Sequence, residues 1–195
     1  WAAKAAPSGS VFPVVINQEV LKYLNQFVGT VEGRERMRAS LRRMQPYRVL
    51  VEAKIAEYNV PPELMAIPII ESGYQNLEDR NVEGWGAGLW MFIASTARAY
   101  GMSVSSQRDE RLDEAKETDA AMRYIVANHA RFSDWQLAVL AYIAGENAVQ
   151  KAIFATGSRD PWVLVRSSSL SEEARNYLPK LMAAIVIMKN PSTVE

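Results

Sequence analysis

A chain of 195 residues, 49% of them hydrophobic, is long enough to bury one core and too apolar for wholesale disorder. Its 22 basic and 22 acidic side chains cancel, which removes the electrostatic case for a nucleic-acid or anionic-membrane partner. No cysteine and one histidine, His129, exclude disulfides, thiolate or multi-histidine metal sites and a Cys nucleophile, and any Ser-His-Asp triad would have to use that histidine.

The opening "AAKAAPSGS" is small, polar and breaker-rich, so residues 1–13 read as a linker or frayed end. The first residue is Trp1 rather than Met, which reads as a processed or excised piece of a longer precursor. From Asn17 the pattern is helical, with Val20, Leu21, Leu24 and Phe27 at helical spacing and Gly29 after them. A charged helix follows over Arg34 to Met44. Another runs from Pro46 to about Tyr58, with Val49, Leu50, Ala53 and Ile55 as its inner face. "VPPEL" starts the next, with Pro in its first turn, Glu63 where the helix dipole favours an anion, and a kink expected at Pro68.

Residues 73–88 hold Gly73, Gly84, Gly86 and Gly88 and read as a long loop. "LWMFIASTARAYGM" resumes a helix that ends near Gly101, and residues 103–112 are polar and irregular; either loop has room for a short strand pair. "DEAKETDAAMRYIVANHARF" is a helix with acids at its start and Arg131 near its end. "SDWQLAVLAYIAG" opens with Ser133 and Asp134 as caps, and "ENAVQKAIFATG" continues as a short helix. "LSEEARNYLPKLMAAIVIMKNP" has Ser171 as N-cap and a "KNP" exit. The longest apolar run, "LMAAIVIM", falls far short of the roughly 20 residues that cross a bilayer. The fold class is mainly α, with one domain over residues 14–190 and a tail over 191–195.

One acid interrupts the apolar pattern. Glu71 follows Ile69 and Ile70 and precedes Gly73, a helix stopper. Apolar neighbours and the negative end of a helix both disfavour the carboxylate, so its pKa should be raised. A general acid working near neutral pH needs that shift.

The stretches "IPIIESGYQ", "GAGLWMFIASTARAYGM" and "AVLAYIAGENAVQKAI" resemble the catalytic module of lytic transglycosylases, of the soluble and membrane-bound D types. The likeness runs from about Val14 to Lys189. It rests on "ES", "GAGLW", "STAR.YG", "DER…ETDAA" and "AY..GE" in that order, and "INQEVLKYLNQF" and "ARNYLPKLMAA" resemble the flanking segments.

The resemblance implies a lysozyme-like, goose-type α fold, peptidoglycan glycan strands as partner and substrate, no cofactor or metal, and Glu71 as the single acid/base. It further implies a monomer in the bacterial envelope, periplasmic or membrane-associated within a longer precursor. Ser72 follows the catalytic Glu in the family, and its plainer reading is a C-cap hydroxyl. Tyr142 matches the family tyrosine whose hydroxyl orients the Glu; as a bare residue it reads equally as a core aromatic. Gly86, Gly88, Leu89 and Trp90 would line the sugar groove, with Trp90 either stacking on a sugar or buried, and Tyr74 would lie along the groove. Thr96 and Ala97 are read as packing, His129 as a surface residue, and Met65, Met122 and Met182 as core filler.

The match departs at Met91, where the family has Gln, and at Ile143, where it has Asn. The loop after Glu71 is longer, with Asn81 in place of a usual Ser. These losses keep a weakly active or non-catalytic peptidoglycan-binding module in view, and the acids Glu78, Asp79 and Glu83 keep open a lysozyme-type hydrolase, to which one of them would supply the second carboxylate.

Overall fold

Asn17 opens the first helix by accepting a hydrogen bond from the Val20 amide, and α1 (Gln18–Gly29) then buries Val20 and Phe27. Thr30 closes α1 and caps α2 (Val31–Met44) through the Gly33 amide. The hairpin is tight enough that a Cβ on Gly33 would fall 2.2 Å from the Gln26 carbonyl oxygen. The structure, a computed structural model, describes residues 10–79 and 85–195. Asn81, Glu83 and Gly84 lie outside the described residues.

A single 3₁₀ turn leads into α3 (Arg48–Glu57), whose inner face is Val51 and Ile55. Val49, expected inside, is exposed, and so is Ala53. The 3₁₀ turn ahead of α3 rotates the register, which a count of apolar spacings does not see. The Pro61-Pro62 pair gives a second 3₁₀ turn, Pro62–Ala66, and then α4 (Ile67–Glu71). Pro68 does not kink a longer helix. It sits in the first turn of α4, where its missing N–H costs nothing. Gly73 and Tyr74, both at positive φ, turn the chain away.

The helix expected from Leu89 begins only at α5 (Ala94–Ala99). Residues 87–92 form a turn closed by an isolated bridge between Ala87 and Phe92, with Met91 in the left-handed region at φ 56°. Its amides at Leu89 and Trp90 go to a side-chain carboxylate, which removes them from any helical ladder. Among the described residues the loops at 73–88 and 103–112 carry no strand pair; they hold isolated bridges such as Leu77 with Gly88 and Val104 with Asp109, and a 3₁₀ turn at Glu110–Leu112.

Asp113 caps α6 (Glu114–Phe132) and Asp134 caps α7 (Trp135–Ala144), while Ser133 takes the left-handed turn between them. Then come α8 (Glu146–Thr156), the short α9 (Pro161–Arg166), and α10 (Glu172–Lys189), with Ser171 as its N-cap. Helix α7 packs on α6, α8 and α10, and α10 also covers α1 and the back of α4. The core runs along α7 and α10, from Leu137 to Ala141 and from Leu178 to Ile185.

Packing reaches beyond residues 14 and 190 at both ends. Phe12 is buried with its amide on Glu63, whose other oxygen takes Lys189, and the Val194 carbonyl accepts from Arg38. No helix among the described residues is long and apolar enough to cross a membrane.

Candidate active site

Glu71 is the last residue of α4, held at the core's edge by buried Ile67, Pro68 and Ile69. The Tyr177 hydroxyl, arriving from α10, donates to Glu71 Oε1 at 2.5 Å. Burial pushes the Glu71 carboxyl up to about 7, against the pull of the Tyr177 hydrogen bond and the Lys180 charge; Glu173 adds a smaller upward push.

Two cavities flank this carboxyl. One, of about 250 Å³, is lined by Glu71 with Met91, Phe92, Thr96, Tyr142 and Ile143. The other, of about 220 Å³, is lined by Glu71 with Arg36, Arg43, Gln75 and Lys180. Among the described residues, Glu71 is the one common to both and the sole carboxylate in either lining. An acid near neutral pKa, reachable from two sides, can hand a proton to a bridging oxygen of a chain laid across it and take one back.

The wall of the first cavity is built by the 87–92 turn. Glu117, wholly buried on α6, accepts the Leu89 amide at 2.7 Å on one oxygen and the Trp90 amide at 3.0 Å on the other. Burial drives its pKa well up, opposed by the amides of Leu89, Trp90 and Phe92 and by Arg111. Since both oxygens accept N–H groups, the geometry is that of the carboxylate. Arg111, also wholly buried, donates to the Phe92 carbonyl and to Asp109, which completes the brace.

Ser72 is buried, and its hydroxyl donates to the Leu89 carbonyl at 2.8 Å, tying the end of α4 to the same turn. Met91 and Ile143 do line the first cavity, and Thr96, read as packing, lines it too. Ala97 is buried, as are Met65, Met122 and Met182.

Several expected contacts are different. The Tyr142 hydroxyl donates to the Trp90 carbonyl at 2.6 Å, so the hydroxyl that meets Glu71 is Tyr177's. Tyr142 supports the cavity wall instead. Leu89 and Trp90 are fully buried, with the Trp90 ring N–H on Thr118, so neither side chain lines a groove. Tyr74 is also in the core, its hydroxyl on the Met65 carbonyl. A Cβ on Gly88, at φ 83°, would meet Arg111 and Glu117 at 2.3 Å, so this glycine admits the internal brace rather than a sugar. Gly86 likewise abuts the Met91 backbone. Asp79 turns inward to Arg111 at 3.6 Å, and Glu78 is exposed, outside both linings. His129 is half-buried, stacked on Trp135 at 3.7 Å.

Sequence reasoning missed Tyr177 and Glu117. "NYLPKLM" places Tyr177 on the buried stripe of α10, a cue for packing and not for a partner 106 residues away. For Glu117 a signal existed: it stands three and four residues before the buried Ala120 and Ala121, on the same face of the helix. No group of three or more His, Cys, Asp or Glu among the described residues is placed to hold a metal ion.

Residues 49–165 match the model of the transglycosylase SLT domain family. The membrane-bound lytic murein transglycosylase D of Escherichia coli strain K12 is 34% identical over 149 residues, covering 76% of this chain and 32% of that protein. The protein of the same description from Escherichia coli O6:H1 strain CFT073 gives the same figures. A putative tributyltin chloride resistance protein of Alteromonas sp. strain M-1 is 30% identical over 112 residues, 57% of this chain and 53% of its own. The chain thus spans about a third of the length of the first two relatives.

Proposed function

Because the chain belongs to the transglycosylase SLT domain family, we propose that it cleaves the β-1,4 bond between N-acetylmuramic acid and N-acetylglucosamine in peptidoglycan, leaving a 1,6-anhydro-muramic acid end. The observation that carries this reading is Glu71: one carboxyl, raised to about 7, held by Tyr177 and facing a cavity on each side.

Near neutral pH Glu71 is protonated often enough to donate to the leaving glycosidic oxygen. The substrate's own acetamido group assists at C1, an exception to the two-carboxylate scheme. Glu71, now ionised and stabilised by the Tyr177 hydroxyl, takes the proton of the C6 hydroxyl. That oxygen closes on C1, displaces the acetamido oxygen, and completes the anhydro ring. No water is activated, so one carboxyl suffices.

Likeness to a relative described as membrane-bound and acting on murein supports work in the bacterial cell envelope. Met91 and Ile143 present apolar side chains to the first cavity, which favours, as the second reading, a slow enzyme or a module that chiefly binds glycan. Digestion of peptidoglycan in heavy-oxygen water tests both. The expected products are anhydro ends without label. Label at the new muramic acid end would make the chain a hydrolase, and intact strands would make it a binding module.

A further inference from the structure

The second cavity has a charge pattern that the proposed reaction does not use. Helix α2 places Arg36, Ser40 and Arg43 at spacings of four and three, the helical period that puts them on one face, and all three line this cavity. Lys180 reaches it from α10. Arg43 donates its Nε to the Gly73 carbonyl at 2.7 Å, which fixes its planar fork against the wall. The sole carboxyl in the lining is Glu71, and Glu173, whose charge is felt at Glu71, stands outside the lining.

This is a local imbalance in a chain with no net charge. Several cations elsewhere are matched, Arg48 with Glu52, Lys54 with Asp119, Arg166 with Glu19 and Lys189 with Glu63. Two other arginines of α2, Arg34 and Arg38, are held on the carbonyls of Val28 and Val194. Arg36, Arg43 and Lys180 belong to no such ion pair among the described residues, yet they converge on one concave space. Guanidinium forks match the geometry of carboxylates and phosphates, and of the two it is the carboxylate that muramic acid and its peptide carry.

We propose that the second cavity is a carboxylate subsite, in which Arg36, Arg43 and Lys180 hold an anionic substituent of muramic acid and so select peptidoglycan over uncharged amino-sugar polymers. The inference rests on the substrate reading above. In a strand of alternating N-acetylated sugars the rings and acetamido groups are neutral. Carboxylates enter with the lactyl ether of muramic acid or with the peptide attached to it. Because Glu71 lines this cavity, the charged group is recognised next to the bond to be cut.

The test is binding, in a Glu71→Gln background that halts turnover, of three probes: a chito-oligosaccharide, glycan strands stripped by an amidase to the bare lactyl carboxylate, and strands with intact peptides. Parent, Arg36→Gln and Arg36→Lys proteins are compared, with melting temperatures as the folding control; Arg36 is exposed, so its replacement leaves the core alone. The expected result is a preference of about tenfold for a carboxylate-bearing strand, reduced some three- to tenfold by Arg36→Gln, largely kept by Arg36→Lys, and fading with salt. Whichever of the two charged strands binds more tightly identifies the source of the carboxylate. Equal affinity for all three probes, or a preference untouched by Arg36→Gln, overturns the subsite. If the Glu71 protein cuts peptidoglycan nonetheless, the substrate reading survives that outcome. Failure to bind or cut any strand overturns both.

Discussion

Among the described residues two glutamates have a pKa raised by burial, Glu71 and Glu117, and they serve different ends. Glu117 is walled in, and its oxygens are taken by the amides of Leu89 and Trp90. It is fully buried and lines neither of the two cavities beside Glu71. Glu71 has one hydroxyl partner and a cavity on each side. A raised pKa thus marks burial, and access separates a reactive carboxyl from a structural one. The two are linked through the 87–92 turn, which Glu117 braces and which carries Met91 into the first cavity.

Replacing each by Gln breaks this comparison most sharply. Glu71→Gln keeps shape and drops the proton, so turnover should fall at least a hundredfold and up to about ten-thousandfold. Its stability should move the other way. The folded carboxyl titrates at about 7 against an ordinary 4.5, so the folded state holds the proton more tightly than the unfolded chain. That stability is complete below about pH 4.5, is lost as pH rises to about 7, and is absent above. The gap amounts to roughly 3 kcal/mol, and Glu71→Gln, which does not titrate, should regain up to that much at pH 8 in urea unfolding. Glu117→Gln should do the reverse, setting an amide N–H₂ against a backbone N–H and costing about 2 kcal/mol of stability. A Glu117→Gln protein of parent stability but without turnover would give Glu117 a part in the chemistry and erase the distinction.

How much of this was legible in the sequence follows from what each signal reports. The helix boundaries at Asn17, Asp113 and Ser171 were readable because capping is local: one side chain and an amide two or three residues on. Glu71 was readable because the lone acid on "IPII" is itself anomalous. The run "LWMFI" was misread as helix because a short apolar run has no period to read. What bends it is Glu117, 27 and 28 residues away. Trp90, Leu89 and Tyr74 were placed on the groove by likeness of motif, although large apolar side chains more often fill a core, and here they do. Tyr177 makes the contact expected of Tyr142 because the partner of a hydroxyl is set by how distant helices pack, here α10 on α4, which no local pattern encodes.

That contact gives the next, smaller effect. A hydrogen bond to a group that becomes charged contributes about 1.5–3 kcal/mol, so Tyr177→Phe should lower turnover about ten- to a hundredfold. Loss of packing alone would do no more than lower the rate. Loss of the hydroxyl that pulls the Glu71 pKa down should also move the alkaline limb of the pH–rate profile above about 7. Tyr142→Phe, which leaves the Glu71 bond in place, should keep the limb where it is. A limb unmoved by Tyr177→Phe would mean that the 2.5 Å contact does not tune the acid.

The smallest effects belong to the wall that Glu117 holds. Met91 and Ile143 face the first cavity with apolar side chains where the family resemblance leads one to expect amides. Met91→Gln keeps length and occupies the same left-handed backbone at φ 56°, so the change tests chemistry more than conformation. Ile143→Asn lies in the last turn of α7, where a weaker helix former costs only tenths of a kcal/mol. Each restored amide that reaches the substrate should contribute about 1 kcal/mol, roughly a fivefold gain in kcat/KM on peptidoglycan. The two side chains line one cavity, so the double variant should depart from the product of the single effects. If both reversions instead slow an already brisk parent, Met91 and Ile143 are contacts of a competent site with a different glycan preference. The 87–92 turn is then a specificity element, shaped from below by a glutamate that never meets the substrate.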